Sequence, residues 1–283
     1  MKLRQIIFFL ILSIFALGQN KTLEKQWQSI DNGFQMGKYA SLLPQIATLK
    51  NDASKLNAYD DYIKALFYES KIKLLTTDQT EDVNFIFEDF AKTKDGKSKI
   101  KDAIIDTYLA KLYQLYLDEN QYKFRNRTEV ENQTSNDVRF WTVSNFQNKI
   151  NSLYQSALKA RQNLIKEGTE NWKSLLNEAD YDSEILTKNT ELTSTIYDII
   201  AQDYITFLKR ENQLKEANKI LNELAELNIE KGNFNAFLFN QNQYLNNLKS
   251  EISTEEYLNE KEKLAAKFFY RIFRIYQRRN PSK

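Results

Sequence analysis

Apolar residues recur at helical spacing along almost the whole chain, and little interrupts them. The clearest run is Ile105, Tyr108, Leu109, Leu112, Tyr113 and Tyr116. These fall at i, i+3, i+4, i+7, i+8 and i+11 and make one apolar helical face. Only six glycines and two prolines punctuate 283 residues, against abundant Leu, Lys, Glu, Asn and Ala. Gly and Pro are the punctuators of strands and turns, so this chain is expected to be all-α.

The same reading places helices at 23–35, 40–56, 59–75, 82–92 and 100–122. After a polar gap it places them at 144–166, around Trp172, and at 192–210, 216–230, 234–249 and 256–277. "GFQMGKY" (33–39) and "KDGKS" (94–98) read as turns, with Pro44 tolerated in the first turn of the second helix. Ser144 with Gln147, and Ser253 with Glu256, have capping-box spacing. Consecutive helices with short turns, and aromatic or Ala positions at the crossings, predict antiparallel pairs stacked as a tetratricopeptide-like solenoid. The alternative is a helical bundle.

The chain contains neither cysteine nor histidine. That removes disulfides, cysteine nucleophiles, His-based acid–base catalysis and ordinary zinc sites. A formal net charge of +2 gives no overall field to steer toward nucleic acid. Residues 1–18, "MKLRQIIFFLILSIFALG", read as a signal peptide. Lys2 and Arg4 form the basic start, Ile6 to Phe15 an apolar stretch too short to span a membrane, and Ala16 and Gly18 the small residues before cleavage at Gln19. Export to the periplasm, cell surface or medium is therefore expected. The organisation is a signal peptide (1–18), a helical repeat-like domain (19–266) and a basic amphipathic tail (267–283).

Several stretches offer chemistry. "DYDSEILTKNTE" (180–191) has acids at EF-hand positions 1, 3, 5 and 12, but Ile185 stands where the sharp turn needs Gly, so it reads as a solvated acidic loop. "GFQMGK" lacks one residue of phosphate-loop spacing and has no Ser or Thr after the Lys. Asp60/Asp61 and Glu88/Asp89 could be imagined as paired catalytic carboxylates, yet adjacent acids on a helix point apart. The tail, "KFFYRIFRIYQRRNPSK", has six basic residues and no acid. Phe268, Phe269, Ile272, Phe273 and Tyr276 lie within one helical face, expected to pack on the preceding helices; membrane-surface contact is the less favoured reading. Asn126-Arg127-Thr128 and Asn132-Gln133-Thr134 match glycosylation sequons and argue only for an exposed gap.

The segment "LAKLYQLYLDENQYKFRNRTEV…NDVRFWTVSNFQNKINSLYQSAL" resembles the N-terminal helical region of large bacterial alpha-2-macroglobulin-like proteins. There a long helix ends in an aromatic run before "NRT", and a polar stretch leads to an Asp, a Trp and a helix carrying "LY.SL". The corresponding residues are Tyr122, Phe124, Asn126, Arg127, Thr128, Asp137, Trp141, Leu153, Tyr154, Ser156 and Leu158. "LTSTIYDIIAQDYITFL" (192–208) is similar to a second family segment and contributes Tyr197 and Asp198, with Ser194 in place of the usual Pro. Residues 62–72 and 216–238 also fit, so the resemblance covers most of 22–265. It implies an exported chain, truncated or split relative to the family. The protease-trapping and Cys–Gln thioester domains lie downstream in the family, so protease inhibition is not carried over.

The expected function is a non-catalytic exported scaffold or protein-interaction module with no cofactor. The polar gap Arg125–Trp141 then reads as an ordered excursion between helices, with Trp141 as the anchor that returns the chain to the core. One rival is a carbohydrate- or peptide-binding helical protein of the outer-membrane uptake type, using Trp27, Trp172 and several Tyr in a groove. An all-helical hydrolase is the other.

Overall fold

In the computed structural model the described residues are 23–77, 83–127, 136–176, 191–249 and 251–279. The fold is all-α; among the described residues there is no strand, only an isolated bridge between Gly168 and Thr195. Helix α1 covers 23–35, followed by α2 (Tyr39–Leu56), α3 (Tyr59–Thr76), α4 (Asn84–Ala91), α5 (Lys99–Glu119) and α6 (Gln121–Phe124). Next come α7 (Val143–Leu158), α8 (Arg161–Leu164) and α9 (Lys173–Leu176). The last four are α10 (Ile196–Arg210), α11 (Leu214–Lys231), α12 (Phe234–Lys249) and α13 (Thr254–Arg279). Contacts divide the chain into two compact units, residues 1–157 with 170–182, and residues 158–169 with 183–283.

Neighbouring helices pack as antiparallel pairs, compatible with a solenoid: α2 against α3 in the first unit, α11 against α10 and α12 in the second. One device makes four of the reversals. Gly37, Asn57, Asn212 and Gly232 all take left-handed backbone, with φ of 67°, 55°, 55° and 79°. In each case the next residue's N–H bonds the carbonyl five positions back. The pairs are Lys38 to Gly33 (2.9 Å), Ala58 to Ala53 (2.9 Å), Gln213 to Leu208 (2.8 Å) and Asn233 to Asn228 (2.8 Å). This satisfies carbonyls that a helix end leaves open, and Gly or Asn is the residue type that tolerates the geometry.

Helix starts follow the same economy. Ser253 and Glu256 form the expected reciprocal cap of α13, at 3.0 and 3.3 Å. The cap of α7 lies two residues before Ser144: Thr142 N–H donates to Asn145 Oδ1 (2.8 Å) and Asn145 N–H to Thr142 Oγ1 (3.2 Å). Likewise α10 starts at Ile196, behind a Thr195–Asp198 capping box, and not at Leu192. Since α2 begins at Tyr39, Pro44 is its sixth residue, in the second turn and not the first, on the exposed side of an otherwise continuous helix. The expected 144–166 helix ends at Leu158, and a separate short helix, α8, follows from Arg161.

The first unit is built around α3 and α5. Residues 63–68 and 103–110 are buried without a break, so α5 is enclosed on more than the single face its spacing advertises. The enclosure includes Lys64 (2% exposed), whose Nζ lies 3.5 Å from Asp31 and 4.1 Å from the centre of the Trp27 ring. A buried charge is tolerated only when so compensated. In the second unit α12 buries Asn240, Gln241 and Asn247 beside Ala236 and Phe237. Their amides bond across helices, Gln202 to Asn240 at 2.6 Å and Asn247 to Asn218 at 2.8 Å.

At the α1–α2 crossing, a Cβ added to Gly33 would lie 2.6 Å from Leu42 Cδ2. Gly33→Ala is expected to lower the unfolding free energy by about 1 kcal/mol net, overpacking outweighing the gain in helix propensity. In a Leu42→Ala background the sign should reverse, which denaturant unfolding of the four variants would read directly.

Candidate functional site

The polar gap is tied shut at its neck. Arg127, just past α6, donates from Nη1 to the carbonyls of Arg139 and Trp141, the latter at 3.2 Å. Its guanidinium lies 5.0 Å from the ring centre of Phe124. On the returning segment Asp137 caps the single turn Val138–Phe140, accepting from Arg139 N–H at 2.9 Å and pairing with the Arg139 side chain at 2.7 Å. The Val138 N–H reaches Asn84 Oδ1 on α4 at 2.9 Å. Two ends twelve to fourteen residues apart are thus fixed to each other and to α4. Asn126 is exposed; Thr128 and Asn132 lie outside the described residues.

Trp141 is only half-buried, and its role differs from the one expected of it. It stacks on Tyr113 (5.6 Å between centroids, 12°) and meets Phe146 edge-on at 5.0 Å. The fully enclosed rings are its neighbours Phe124 (1% exposed) and Phe146 (0%). Phe146 touches Tyr113, Tyr116, Phe124 and Trp141, so it is the true centre of the return point. Tyr154 is buried on α7 two turns further along.

The Arg139 side chain, and then Asn84 and the Arg139 N–H, hold the Asp137 carboxyl well below the usual aspartate range. A depressed folded-state value means the neck's stabilisation is complete above about pH 4 and is lost only as pH falls below that. Asp137→Asn should therefore flatten the acid limb of a melting-temperature profile while leaving the neutral-to-alkaline limb unchanged in shape. An identical acid limb in wild type and variant would refute the tie.

The acid pairs behave as structural ties. Asp61 accepts from Trp27 Nε1 at 2.6 Å and from the Ser174 hydroxyl, while Asp60 accepts from the Ser174 N–H at 3.3 Å. Burial, and then the adjacent Asp61, raise the Asp60 carboxyl above its ordinary value. Glu88 and Asp89 are exposed and face Lys92. Trp27 and Trp172 are 5% and 6% exposed, so neither forms a platform for a sugar ring. Among the described residues no group of three or more acidic side chains is arranged to hold a metal ion. The 180–191 loop lies outside the described residues except for Glu191, whose carbonyl and carboxylate accept from Asn233 and Asn235 at 2.8 and 3.0 Å. Residues 1–18 also lie outside.

In the second unit Tyr197 and Asp198 are both buried at 2%. Tyr197 donates to Glu223 Oε1 at 2.9 Å, and Arg161 donates to the same oxygen at 2.5 Å. Burial, and next the Glu223 hydrogen bond, hold the Tyr197 phenol well above the usual tyrosine range, so it remains a neutral donor. Beside Glu223 an open groove of about 420 Å³ runs between α11, α12 and α13, floored by Asn222 and Tyr244. Its charges are matched: Glu260 with Lys263 at 2.8 Å, Glu226 with Lys267, and Glu226 with Arg271 at 2.6 Å.

Among the described side chains of the tail helix, Phe268 is the ring turned inward; those of Ile272 and Tyr276 lie outside the described residues. Phe268 stacks on Phe237 at 5.1 Å, whereas Phe269 and Phe273, expected in the same buried stripe, are 69% and 58% exposed. The ion pairs to Glu226 and Glu230 set this rotation, turning Arg271 toward α11 and the neighbouring rings away. Among the described residues no helix is long and apolar enough to cross a membrane. Compared with known proteins, the chain matches no family model and no curated sequence.

Proposed function

We propose that this is an exported, non-catalytic helical scaffold that engages a protein partner through the surfaces of its stacked helix pairs. One observation carries the reading: the carboxylates that chemistry would need are engaged in holding helices together. Asp61 ties α3 to α1 and α9, Glu223 ties α11 to α10 and α8, and Asp198 joins the cap of α10 to Asn228. A catalyst needs carboxyls turned toward substrate space, with a pocket between them. The resemblance to the helical N-terminal region of alpha-2-macroglobulin-like proteins supports the same reading, because that region is separate from the trapping domains.

Photo-crosslinkers placed singly at exposed Met36, Phe85 and Leu238 in the producing cells test the proposal. A discrete protein adduct from one of these faces, and not from the others, is the expected result. No adduct from any face would count against it. So would turnover of a glycan or peptide by the purified protein that Asp60→Asn abolishes without altering the melting temperature.

A further inference from the structure

The C-terminal half of α13 has two faces, and only one is occupied. Phe268 and Leu264 turn inward, while Phe269, Tyr270 and Phe273 stand 69%, 60% and 58% exposed, following exposed Ala265 and Ala266. Three large aromatic side chains within five residues of one helix form a patch that a soluble surface does not ordinarily carry. Charge accompanies it. Residues 267–283 hold six basic residues and no acid, although the chain as a whole is nearly neutral; Lys267 and Arg271 are paired with Glu226 and Glu230, and the other four follow Arg271 in the sequence.

From this juxtaposition we propose that α13 docks on an anionic lipid surface, lying in the interface with Phe269, Tyr270 and Phe273 inserted and the basic residues that follow Arg271 in the sequence supplying the charge. Both ingredients of interfacial binding are present, an apolar face to bury and cations beside it. A phosphate-rich polymer or an acidic protein would satisfy the cations and leave the phenylalanines in water. A second copy would bring two basic segments together, which like-charge repulsion opposes. The helix does not span, since no described helix is long and apolar enough to do so.

The full chain is tested by co-sedimentation with phosphatidylcholine vesicles, with and without phosphatidylglycerol, at low and high salt. Binding should be on the order of tenfold tighter to the anionic vesicles and weaken as salt screens the charges. Phe269→Ser with Phe273→Ser should reduce it by on the order of tenfold without moving the melting temperature, because both rings are already in water. In Tyr270→Trp, the added indole emission should shift to the blue on vesicle addition. Equal affinity for neutral and anionic vesicles would overturn the proposal, as would binding that the paired serine variant leaves intact. A wild-type dimer that this variant converts to monomer would assign the patch to a second copy, and tight binding to polyglutamate or DNA without vesicle binding would assign it to a polyanion. Either outcome also overturns the lipid proposal.

Discussion

Phe146→Ala is expected to lower the unfolding free energy by about 3–5 kcal/mol, the range for deleting a fully enclosed large aromatic. Its ring is 0% exposed and lies 4.8 to 6.5 Å from the ring centres of Phe124, Trp141, Tyr116 and Tyr113. Helices α5, α6 and α7 and the returning segment all meet on it, so no one element can collapse into the space left behind. The residual cavity adds to the lost transfer energy. Trp141→Ala should cost less, about 1–3 kcal/mol, because that side chain is partly exposed before unfolding. Urea unfolding of both variants distinguishes the two roles; a larger loss at Trp141 than at Phe146 would return the anchor to the tryptophan.

Asp198→Ala is expected to cost about 3 kcal/mol, combining a lost cap with buried donors left unpaired. One carboxylate oxygen accepts from the Thr195 N–H at 2.9 Å, the Thr195 hydroxyl at 2.8 Å and the Ser194 N–H at 3.2 Å. The other accepts from Asn228 Nδ2 at 3.2 Å. Alanine takes this acceptor from the Ser194 and Thr195 donors at the start of α10, while Asn228 Nδ2 keeps the Leu224 carbonyl. Asp198→Asn keeps one acceptor and should recover roughly half of the loss. Equal destabilisation by Ala and Asn would mean that charge, and not hydrogen-bond acceptance, is what the site requires.

Much of the fold is legible in the sequence because helices announce themselves through spacing. The stripes on α5, α10 and α11 depend only on the 3.6-residue period, and the Ser253–Glu256 cap is a local pattern of four residues. The parts that were not legible depend on what the chain meets elsewhere. Asn57 and Asn212 end helices by taking left-handed backbone, and nothing in their immediate sequence separates them from the many other asparagines. Lys64 reads as a solvated charge until Asp31 and Trp27 surround it. Asn240 and Asn247 read as the polar side of α12 until partners on α10 and α11 make them its buried side. Ser144–Gln147 and Thr142–Asn145 are both plausible caps of α7 locally; the helix begins at Val143, so the reciprocal Thr142–Asn145 pair stands at its start and Ser144 lies inside it.

The candidate site shows the same division. Asn126, Arg127, Asp137 and Trp141 were singled out through a family resemblance, and the three that bond or stack do so at one neck. Phe146 carried no signal beyond being one more aromatic on a helix. The rotation of α13 is hidden for a different reason: spacing gives an apolar face of five positions and does not say that Phe268 goes inside while Phe269 and Phe273 stay out.

If the conspicuous acids hold helices and do no chemistry, Asp61→Ala is the substitution that shows it. Asp61 joins Trp27 and Ser174, so its removal leaves a buried indole N–H without an acceptor. Equilibrium unfolding should show a loss of about 1–3 kcal/mol. An acid kept for catalysis is commonly held at a cost to stability, and deleting it leaves stability unchanged or raises it. An Asp61→Ala protein as stable as wild type, or more so, would mean that Asp61 is not a structural tie.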